Sequence, residues 1–217
     1  MIQISKNIGV LDDIWSMSFK KDPMPSFYND YPFLIFENLL TNDECQHIID
    51  SFKDYSYKAM LKGSGLNEDI RKTKLLKLTA TAKDEFERAI SKVKNRIEEF
   101  FNVRLFGGSS IQALYYEDGG FYRCHADNAS EIVKNNRLID YKIVANNRKI
   151  TTLLFLNDDF SGGEIEFCHL RYNNNRGVIF KPKEGMLIAF ASHPIFAHEV
   201  REVKGKRYSL VKWWNAL

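Results

Sequence analysis

Two residues that stand two positions apart, His125 and Asp127, are the first in this sequence whose types and spacing suggest chemistry. They lie in a β-like run, and alternate residues of a strand share a face, so both side chains can point into one cavity. A second histidine, His198, lies in another β-like run, far enough along the chain to return to that cavity. Two imidazoles and one carboxylate on a β scaffold form the facial triad that holds Fe(II) and leaves coordination positions open for a co-substrate and dioxygen. The pattern therefore predicts a metal site of the oxygenase kind.

Arg207 follows His198 by nine residues, beyond a turn-like Lys-Gly-Lys stretch. A dicarboxylate co-substrate that chelates iron at one end leaves its far carboxylate buried. A planar, permanently charged guanidinium binds such a group through two parallel hydrogen bonds. Ser209 lies on the same strand face as Arg207 by the two-residue period, and its hydroxyl can donate to the same carboxylate. We therefore expect Arg207 and Ser209 to bind the co-substrate.

The segments that carry these residues resemble the prolyl 4-hydroxylase family of Fe(II)- and 2-oxoglutarate-dependent dioxygenases. They occur in the family's order with fitting spacing, and the resemblance runs from about Pro32 to Trp214. The upstream run PFLIFENLLTNDEC and the tripeptide D-I-R that ends at Arg71 are similar to the N-terminal half of the family. The matching segments are YEDGGFYRCHAD from Tyr116 to Asp127, TTLLFLN from Thr151 with SGGE from Ser161, and HEV from His198 with RYS from Arg207 and then Trp213.

The resemblance implies an α+β protein with a double-stranded β-helix (jelly-roll) core buttressed by N-terminal helices. It also implies Fe(II), 2-oxoglutarate as co-substrate, dioxygen, and L-ascorbate as reductant. The expected reaction is hydroxylation of a substrate C–H bond with release of succinate and CO2, and the family expectation for the substrate is a prolyl residue of a protein or peptide. In related halogenases a halide replaces the carboxylate ligand, so Asp127 favours hydroxylation.

Three alternatives stay open. An oxygenase of the same class could act on a free amino acid, another side chain or an alkylated nucleic-acid base. In the base demethylases a second arginine typically follows six residues after the co-substrate arginine, whereas Trp213 holds that position here. A non-enzymatic jelly-roll binding protein would not need an Arg-x-Ser pair behind the triad. A zinc hydrolase would differ in its metal dependence and would not consume dioxygen.

Other residues of the matching segments are candidates for the walls of the site. Tyr116 can donate its phenol to 2-oxoglutarate, with its neighbour Tyr115 as the alternative. Thr151 matches a position of the family that contacts the co-substrate. Tyr122 also matches the family pattern, but strand parity from His125 puts it on the opposite face unless a bulge intervenes, so we expect it to pack rather than to act.

Two long polar segments, residues 58–78 and 128–148, lack a clear core pattern. Both are long for structureless connections in a compact domain, which favours mobile lids over the site. Arg71 and Arg148 are their candidates for holding a peptide backbone or an acidic neighbour. Trp213 shares strand parity with Arg207 and is expected to wall the substrate site.

The other histidines fit the metal site less well. His193 is the rival of His198, but it precedes a proline, which suits a turn, and it lacks the H-E-V context. His47 and His169 have no evident partners in the sequence and are expected to be surface or packing residues. We therefore expect His193 to be dispensable for metal binding.

The supporting elements follow from periodicity. Thr41 and Glu44 form a capping box, which predicts a helix from about Asn42. A second amphipathic helix is predicted from Thr81, and about eight short strands from Ser109 onward. The predicted organisation is an N-terminal segment (1–31), a strand and helix support region with the basic segment 58–78 (32–108), and the jelly-roll core (109–217).

Composition limits the remaining choices. The 217 residues carry a formal net charge of +3, too weak for a dedicated nucleic-acid binder, so a nucleic-acid partner is not expected. The three cysteines form no CxxC and suggest no disulfide framework, which favours a reducing cytosol. The N-terminus lacks the apolar stretch of a signal peptide, and no apolar run approaches the roughly 20 residues of a membrane span. We therefore expect a cytoplasmic protein without a membrane partner.

Overall fold

The structure is a computed structural model and is described for residues 1–3, 33–52, 56–58, 69–135, 137–171 and 175–217. Within these residues the chain forms antiparallel strands and two α-helices, α1 (Asn42–Ser51) and α2 (Ala80–Phe101), together with a 3-10 helix (Pro194–Phe196). The strands are β1 (Ile2–Gln3), β2 (Leu34–Glu37), β3 (Ser56–Lys58), β4 (Arg71–Lys72), β5 (Lys74–Leu76), β6 (Leu105–Phe106), β7 (Gln112–Tyr116), β8 (Phe121–His125), β9 (Ala129–Lys134), β10 (Arg137–Ile143), β11 (Ile150–Phe155), β12 (Ser161–Gly162), β13 (Ile165–Arg171), β14 (Gly177–Phe180), β15 (Leu187–Ala191), β16 (His198–Val200), β17 (Val203–Lys204) and β18 (Arg207–Ala216).

The strands build two main sheets. The larger has the order β1-β2-β15-β11-β18-β7-β5-β3, with β6 beside β18, and the smaller has the order β14-β13-β16-β8-β4. Ring centroids show that the sheets pack face to face: Phe155 lies 5.8 Å from Phe180, and Phe190 lies 5.4 Å from Phe167. The predicted α+β class and the double-stranded β-helix are confirmed.

Strands β11 and β15 lie next to each other in the larger sheet, and all of their residues are buried. Their sequences, ITTLLF and LIAFA, do not alternate, as expected for strands that are covered on both faces. The buried stripe of α2 belongs to the same hydrophobic core as these strands. The stripe consists of the residues that helical periodicity predicted, namely Ala82, Phe86, Ala89, Ile90, Val93, Ile97, Phe100 and Phe101.

The starts of both helices follow from their caps. Thr41 Oγ1 accepts a hydrogen bond from the Glu44 backbone N–H at 3.2 Å, and the Glu44 carboxylate accepts one from the Thr41 backbone N–H at 2.8 Å. The capping box and the start of α1 at Asn42 are therefore confirmed. Helix α2 begins at Ala80 with Thr79 as its N-cap, so the predicted start at Thr81 was one residue late.

The expectation of structureless lids was wrong for most of the segment 128–148. Strands β9 and β10 pair there as an antiparallel hairpin, with Asn135 in the left-handed region at its turn. In the segment 58–78, residues 69–78 contain β4 and β5, which pair with β8 and β7, whereas residues 59–68 lie outside the described part of the chain. The division into 1–31, 32–108 and 109–217 stays a prediction.

The cysteine prediction was also wrong. Cys124 of β8 and Cys168 of β13 form a disulfide with a Cα–Cα distance of 6.4 Å, and Cys45 is free and buried. The pair is 44 residues apart in sequence, and the sheet brings it together because β16 pairs with both strands. Among the described residues, no helix is both long and apolar enough to cross a membrane.

Candidate active site

A cavity of about 490 Å³ lies between the two sheets. Its walls come from β7, β11 and β18 of the larger sheet, from β8 and β16 of the smaller sheet, and from the β9–β10 hairpin. The cavity brings together every candidate site residue except Ser209, which lies beside it on β18. The lining candidates are Arg71, Tyr116, His125, Asp127, Arg148, Thr151, His198, Arg207 and Trp213.

Strand pairing positions the three predicted metal ligands. His125 ends β8 and His198 begins β16, and the two are directly opposite in the antiparallel register. Asp127 follows His125 by two residues, with its carboxylate Oδ1 3.8 Å from His125 Nε2. The potential ligand atoms of the three side chains all lie within 4.8 Å of one another. This spacing fits a single metal ion held by two imidazoles and one carboxylate.

Backbone carbonyls fix which nitrogen of each histidine faces the cavity. His125 Nδ1 lies 2.9 Å from the carbonyl oxygen of Arg123, and His198 Nδ1 lies 3.1 Å from that of Phe196. A carbonyl can only accept, so both Nδ1 atoms carry the proton and both Nε2 atoms present a lone pair. Burial, assisted by His198, lowers the pKa of His125 to about 3, which keeps this imidazole neutral, as a metal ligand must be.

The carboxylate of Asp127 is also held in place. Thr151 Oγ1 donates to its Oδ2 at 2.6 Å and lies 2.8 Å from Ser192 Oγ. Burial alone raises the pKa of Asp127, but His198, His125 and the Thr151 hydroxyl outweigh it, so the pKa is lowered overall and the carboxylate is charged. Thr151 therefore touches the predicted metal ligand, whereas the sequence suggested contact with the co-substrate.

Arg148 and Trp213 form a wall beside Asp127. The guanidinium of Arg148 lies 4.3 Å from the Trp213 ring centroid and donates from Nη1 to the backbone carbonyl of Asp127 at 3.0 Å. The indole Nε1 of Trp213 is buried without a hydrogen bond of standard geometry, yet it is near enough to help lower the pKa of Asp127. Arg148 thus already helps to fix the loop that carries the carboxylate.

The expectation that Tyr122 faces away from the site was wrong. Tyr122 lines the cavity and stacks on the imidazole of His125 with a centroid distance of 3.5 Å. Between β8 and β16 the register shifts, because His198 pairs with His125 whereas Val200 pairs with Tyr122. That bulge adds one residue to β8 and reverses the strand parity. The guanidinium of Arg71 covers the other side of the Tyr122 ring at 4.5 Å.

Arg207 lies deep in the cavity, and its side chain is almost completely buried. Its Nε and Nη2 atoms, together with Ser209 Oγ, are buried without a hydrogen-bond partner in the described part of the chain. The rings of Tyr116 and Phe155 lie 5.0 and 5.2 Å from the guanidinium carbon. Burial lowers the pKa of Arg207, opposed by Tyr116, and no described carboxylate pairs with it. Buried unpaired donors of this kind are costly, so the site fits an anionic ligand.

Tyrosine placement settles one alternative of the sequence analysis. Tyr116 is buried and lines the cavity, whereas Tyr115 stacks on Tyr208 at 4.7 Å, on the other face of the sheet. A phenol at Tyr116 can therefore reach a ligand beside Arg207, and a phenol at Tyr115 cannot.

Two residues that the sequence analysis did not single out, Asn157 and Gly163, help to position Arg207. Asn157 Nδ2 donates to the carbonyl of Lys206 at 2.7 Å, and its Oδ1 accepts from the Tyr208 N–H at 2.8 Å, so one side chain bonds the backbone on both sides of Arg207. Gly163 has a φ of +65°, and a Cβ there would lie 3.1 Å from Arg207 Cδ and 2.8 Å from Phe160. The L-N and G-G parts of the matching segments were the available signals.

Two of the other histidines, His193 and His169, have structural partners, and His47 is exposed on α1 as expected. His193 caps the 3-10 helix through its Nδ1, which accepts from the Ile195 N–H at 3.4 Å, and it does not join the metal-ligand group. His169 was expected to be a surface or packing residue, and it is half-buried with its Nε2 2.8 Å from the hydroxyl of Tyr141 in β10. This bond ties the hairpin to β13.

Comparisons with known proteins agree with this geometry. Residues 111–215 match the family model of the 2OG-Fe(II) oxygenase superfamily. The chain is 23% identical over 214 residues to the probable prolyl 4-hydroxylase 11 of Arabidopsis thaliana. The aligned region covers 97% of this chain and 72% of that protein. It is similar to the solved prolyl hydroxylase of Trichoplax adhaerens in complex with a hypoxia inducible factor peptide fragment (TM-score 0.68, 19% identity, 93% and 89% coverage). It also resembles a prolyl-4-hydroxylase of Pseudomonas putida (TM-score 0.60, 20% identity, 85% and 93% coverage).

The fold and the family match indicate the class of protein: over residues 111–215, just under half of its length, the chain is similar to the 2OG-Fe(II) oxygenase superfamily. The curated relatives that it matches carry prolyl 4-hydroxylase names, at identities of 23–27%. That superfamily consists of enzymes and implies Fe(II), 2-oxoglutarate and dioxygen. The residues present fit Fe(II) and 2-oxoglutarate, since three convergent ligand side chains lie at one end of the cavity and unpaired cationic donors lie at the other.

Proposed function

We propose that this protein hydroxylates a prolyl residue of a protein or peptide, with Fe(II) as cofactor and 2-oxoglutarate as co-substrate. One observation carries the proposal: a convergent His-Asp-His group and a buried guanidinium with unpaired donors share a single cavity. Support for the substrate comes from relatives whose names are prolyl 4-hydroxylases and from a structural neighbour that was solved with a peptide.

In this proposal His125, Asp127 and His198 hold the iron. The two Nε2 lone pairs and Oδ1 are the ligand atoms, because the Nδ1 atoms and Oδ2 already have protein partners. Thr151 acts on the carboxylate through its hydroxyl rather than on the metal. The stacked ring of Tyr122 restricts rotation of His125. The site therefore requires little rearrangement to accept a metal ion.

Arg207 and Ser209 bind the far carboxylate of 2-oxoglutarate in this proposal, and Tyr116 donates its hydroxyl nearby. The buried Nε and Nη2 donors of Arg207 have the fork arrangement that a carboxylate accepts bidentately. The rings of Tyr116 and Phe155 flank the guanidinium and keep water from it. In so dry a site a carboxylate and a guanidinium attract each other strongly.

When bound, iron and 2-oxoglutarate supply the activation of dioxygen for insertion into a C–H bond, with conversion of 2-oxoglutarate to succinate and CO2. The protein orients the reactants and limits the access of water. Leu114, Leu153, Phe190 and Val211 give the cavity an apolar lining between its two polar ends.

We assign the substrate side of the cavity to Arg71, Arg148 and Trp213. All three line it, and the hairpin residues Glu131 and Val133 line it beside them. Arg148 uses one donor on the Asp127 carbonyl, so its other donors can serve a peptide carbonyl. The guanidinium of Arg71 lies over the Tyr122 ring, which leaves it less mobile than that of a surface arginine.

The proposal also includes L-ascorbate as reductant, which rests on the family resemblance alone. A cytoplasmic location stays a prediction, and the Cys124–Cys168 disulfide argues against the cysteine pattern as its basis, because disulfides persist mainly in oxidising compartments. The absence of a nucleic-acid or membrane partner likewise stays a prediction.

The test is turnover of proline-containing peptides by the purified protein with Fe(II), 2-oxoglutarate and ascorbate. We expect succinate formation coupled to a mass gain of one oxygen atom, located on proline by fragmentation. Matched peptides with alanine in place of proline are the substrate control, and Asp127→Ala is the enzyme control. Succinate formation without oxygen on any proline of a broad peptide panel would contradict the substrate assignment but not the enzyme class.

A further inference from the structure

We propose that Ser192 is a positioning residue for the metal site, acting through Thr151 on the carboxylate of Asp127. The inference rests on the proposed role of Asp127 as a metal ligand. Ser192 directly follows β15, is almost completely buried, and does not line the cavity. Its hydroxyl lies 2.8 Å from Thr151 Oγ1, and that atom lies 2.6 Å from Asp127 Oδ2.

The number of protons that the three side chains can donate fixes which of them is the donor in each hydrogen bond. A hydroxyl has one proton to donate, and the ionised carboxylate of Asp127 can only accept. Thr151 must therefore donate its single proton to Asp127, in a short charge-assisted bond. The contact between Thr151 and Ser192 is then a hydrogen bond only if Ser192 is the donor. The hydroxyls form a chain with one direction, from Ser192 to Thr151 to Asp127.

This direction matters because a threonine hydroxyl can rotate. Without a donor at Ser192, Thr151 Oγ1 loses the partner that holds the hydroxyl in this orientation, and its hydrogen bond to Asp127 weakens. With Ser192 as donor, Oδ2 stays occupied by Thr151, and Oδ1 is left to face His125 Nε2 at 3.8 Å. The chain thereby selects which carboxylate oxygen is available to a metal ion.

The backbone holds Ser192 where this bond is made. Its N–H donates to the carbonyl of Lys149 at 2.8 Å, two residues before Thr151. The adjoining register pairs Ile150 with Ala191 and Thr151 with Phe190, so β15 and β11 fix both ends of the contact. The two hydroxyls meet across a rigid ladder inside the core, and water has little access to replace either partner.

The test measures binding of Co(II), a probe for the Fe(II) site, to the metal-free protein without any turnover. We expect Thr151→Val to weaken Co(II) binding by roughly 10- to 100-fold, as for other groups that orient a metal ligand. We expect Ser192→Ala to weaken it less, by about 3- to 10-fold, and to change the Co(II) absorption bands. The double variant should bind as weakly as Thr151→Val alone, because Ser192 acts only through Thr151.

The matched control is Thr152→Val. Thr152 is the next residue of β11, is fully buried, and accepts a hydrogen bond from Trp214 Nε1 at 2.8 Å on the other face of the strand. Losing this hydroxyl should lower the melting temperature and leave Co(II) affinity unchanged. If Ser192→Ala does not fold, Ser192→Cys replaces the hydroxyl with a slightly larger thiol that is a much weaker donor, and it is expected to weaken binding in the same way.

The inference is wrong if Ser192→Ala binds Co(II) as tightly as the unmodified protein, if its effect adds to that of Thr151→Val, or if Thr152→Val causes the same loss. Those outcomes leave the metal assignment intact. Failure of the unmodified protein to bind Co(II) would instead overturn the proposed metal site, and the role of Ser192 with it.

Discussion

The metal end and the Arg207 end of the cavity differ in whether their polar atoms have hydrogen-bond partners within the protein. At the metal end, each atom that faces away from the cavity already has a protein partner: carbonyls accept from the histidine Nδ1 atoms, and Thr151 donates to Asp127. At the other end, Arg207 Nε, Arg207 Nη2 and Ser209 Oγ are buried without partners in the described residues.

The difference indicates which end the protein completes by itself. The metal end is organised before any ligand binds, so it should select the metal by geometry. The Arg207 end keeps a cation in an apolar environment and leaves its donors open, a state that costs stability until an anion arrives. Substitutions at the two ends should therefore differ in their effects on binding and on stability.

The largest effect is expected at the metal end. His125→Ala, Asp127→Ala and His198→Ala should each reduce turnover to background, because each removes one of three convergent ligands. Circular dichroism should show a retained fold, and metal titration should show the loss of binding. His193→Ala is the control, and it should stay active because His193 caps the 3-10 helix. Normal turnover in any of the three ligand variants would remove that residue from the metal site.

A smaller loss of activity is expected from substitutions at the Arg207 end. Such substitutions should weaken ligand binding without lowering the stability of the ligand-free protein. Loss of one partner from a buried ion pair costs about 2–5 kcal/mol of binding, or roughly 30- to 3,000-fold in affinity for 2-oxoglutarate. Arg207→Met should show this loss and yet leave the ligand-free protein as stable as before or more stable. Arg207→Lys should recover part of the affinity, since a point charge cannot form the fork.

Thermal denaturation with and without 2-oxoglutarate measures both effects of the Arg207 variants. Lys206→Ala is the control, because Lys206 is the adjacent cation and its side chain is exposed. A large loss of 2-oxoglutarate affinity in Lys206→Ala together with normal affinity in Arg207→Met would reverse the assignment. Unfolding of Arg207→Met would mean that the guanidinium stabilises the fold without a ligand.

Much of this arrangement was predictable from local patterns. The capping box at Thr41 and the buried stripe of α2 follow from residue type and spacing, and the resemblance to prolyl 4-hydroxylases implied the jelly-roll class. His125, Asp127 and His198 converge as their strand positions suggested. These features depend on periodicity, which a sequence displays directly.

The features that could not be predicted depend on register and on pairs of distant residues. The bulge that turns Tyr122 toward His125 exists only in the pairing of β8 with β16. The Cys124–Cys168 bond likewise requires strand neighbours that are far apart in sequence. Ser192 carried no signal at all, because a single serine after an apolar strand gives no hint of its partner.

The pH dependence of stability should separate the two ends further. In the metal-free protein, buried His125 has a pKa of about 3 and His193 of about 4, both below the ordinary histidine value near 6.5. At pH values between the ordinary histidine pKa and these lowered pKa values, the unfolded chain binds protons that the folded chain excludes. The free energy of unfolding therefore falls as the pH drops from about 6.5 toward 3. Each histidine contributes on the order of a few kcal/mol to this loss.

Urea unfolding of the chelator-treated protein at several pH values measures this slope. His125→Gln should flatten the curve between pH 4 and 6.5, whereas Arg207→Met should leave its shape unchanged, because an arginine does not titrate in this range. A midpoint that does not change over this range in the unmodified protein would contradict neutral burial of the histidines. Bound metal should increase the loss of stability at low pH, since protons compete with the metal ion for the same nitrogen lone pairs.

The smallest effect is expected from Asn157, which supports the Arg207 end without touching a ligand. Its amide bonds the backbone of Lys206 and Tyr208 on either side of Arg207. Asn157→Ala removes both bonds, and a net hydrogen bond contributes about 1 kcal/mol, so misplacement of the guanidinium should raise the KM for 2-oxoglutarate by roughly tenfold. Co(II) affinity should not change, because the metal end is organised by separate contacts. Equal losses of Co(II) and 2-oxoglutarate binding in Asn157→Ala would mean that the two ends of the cavity are not independent.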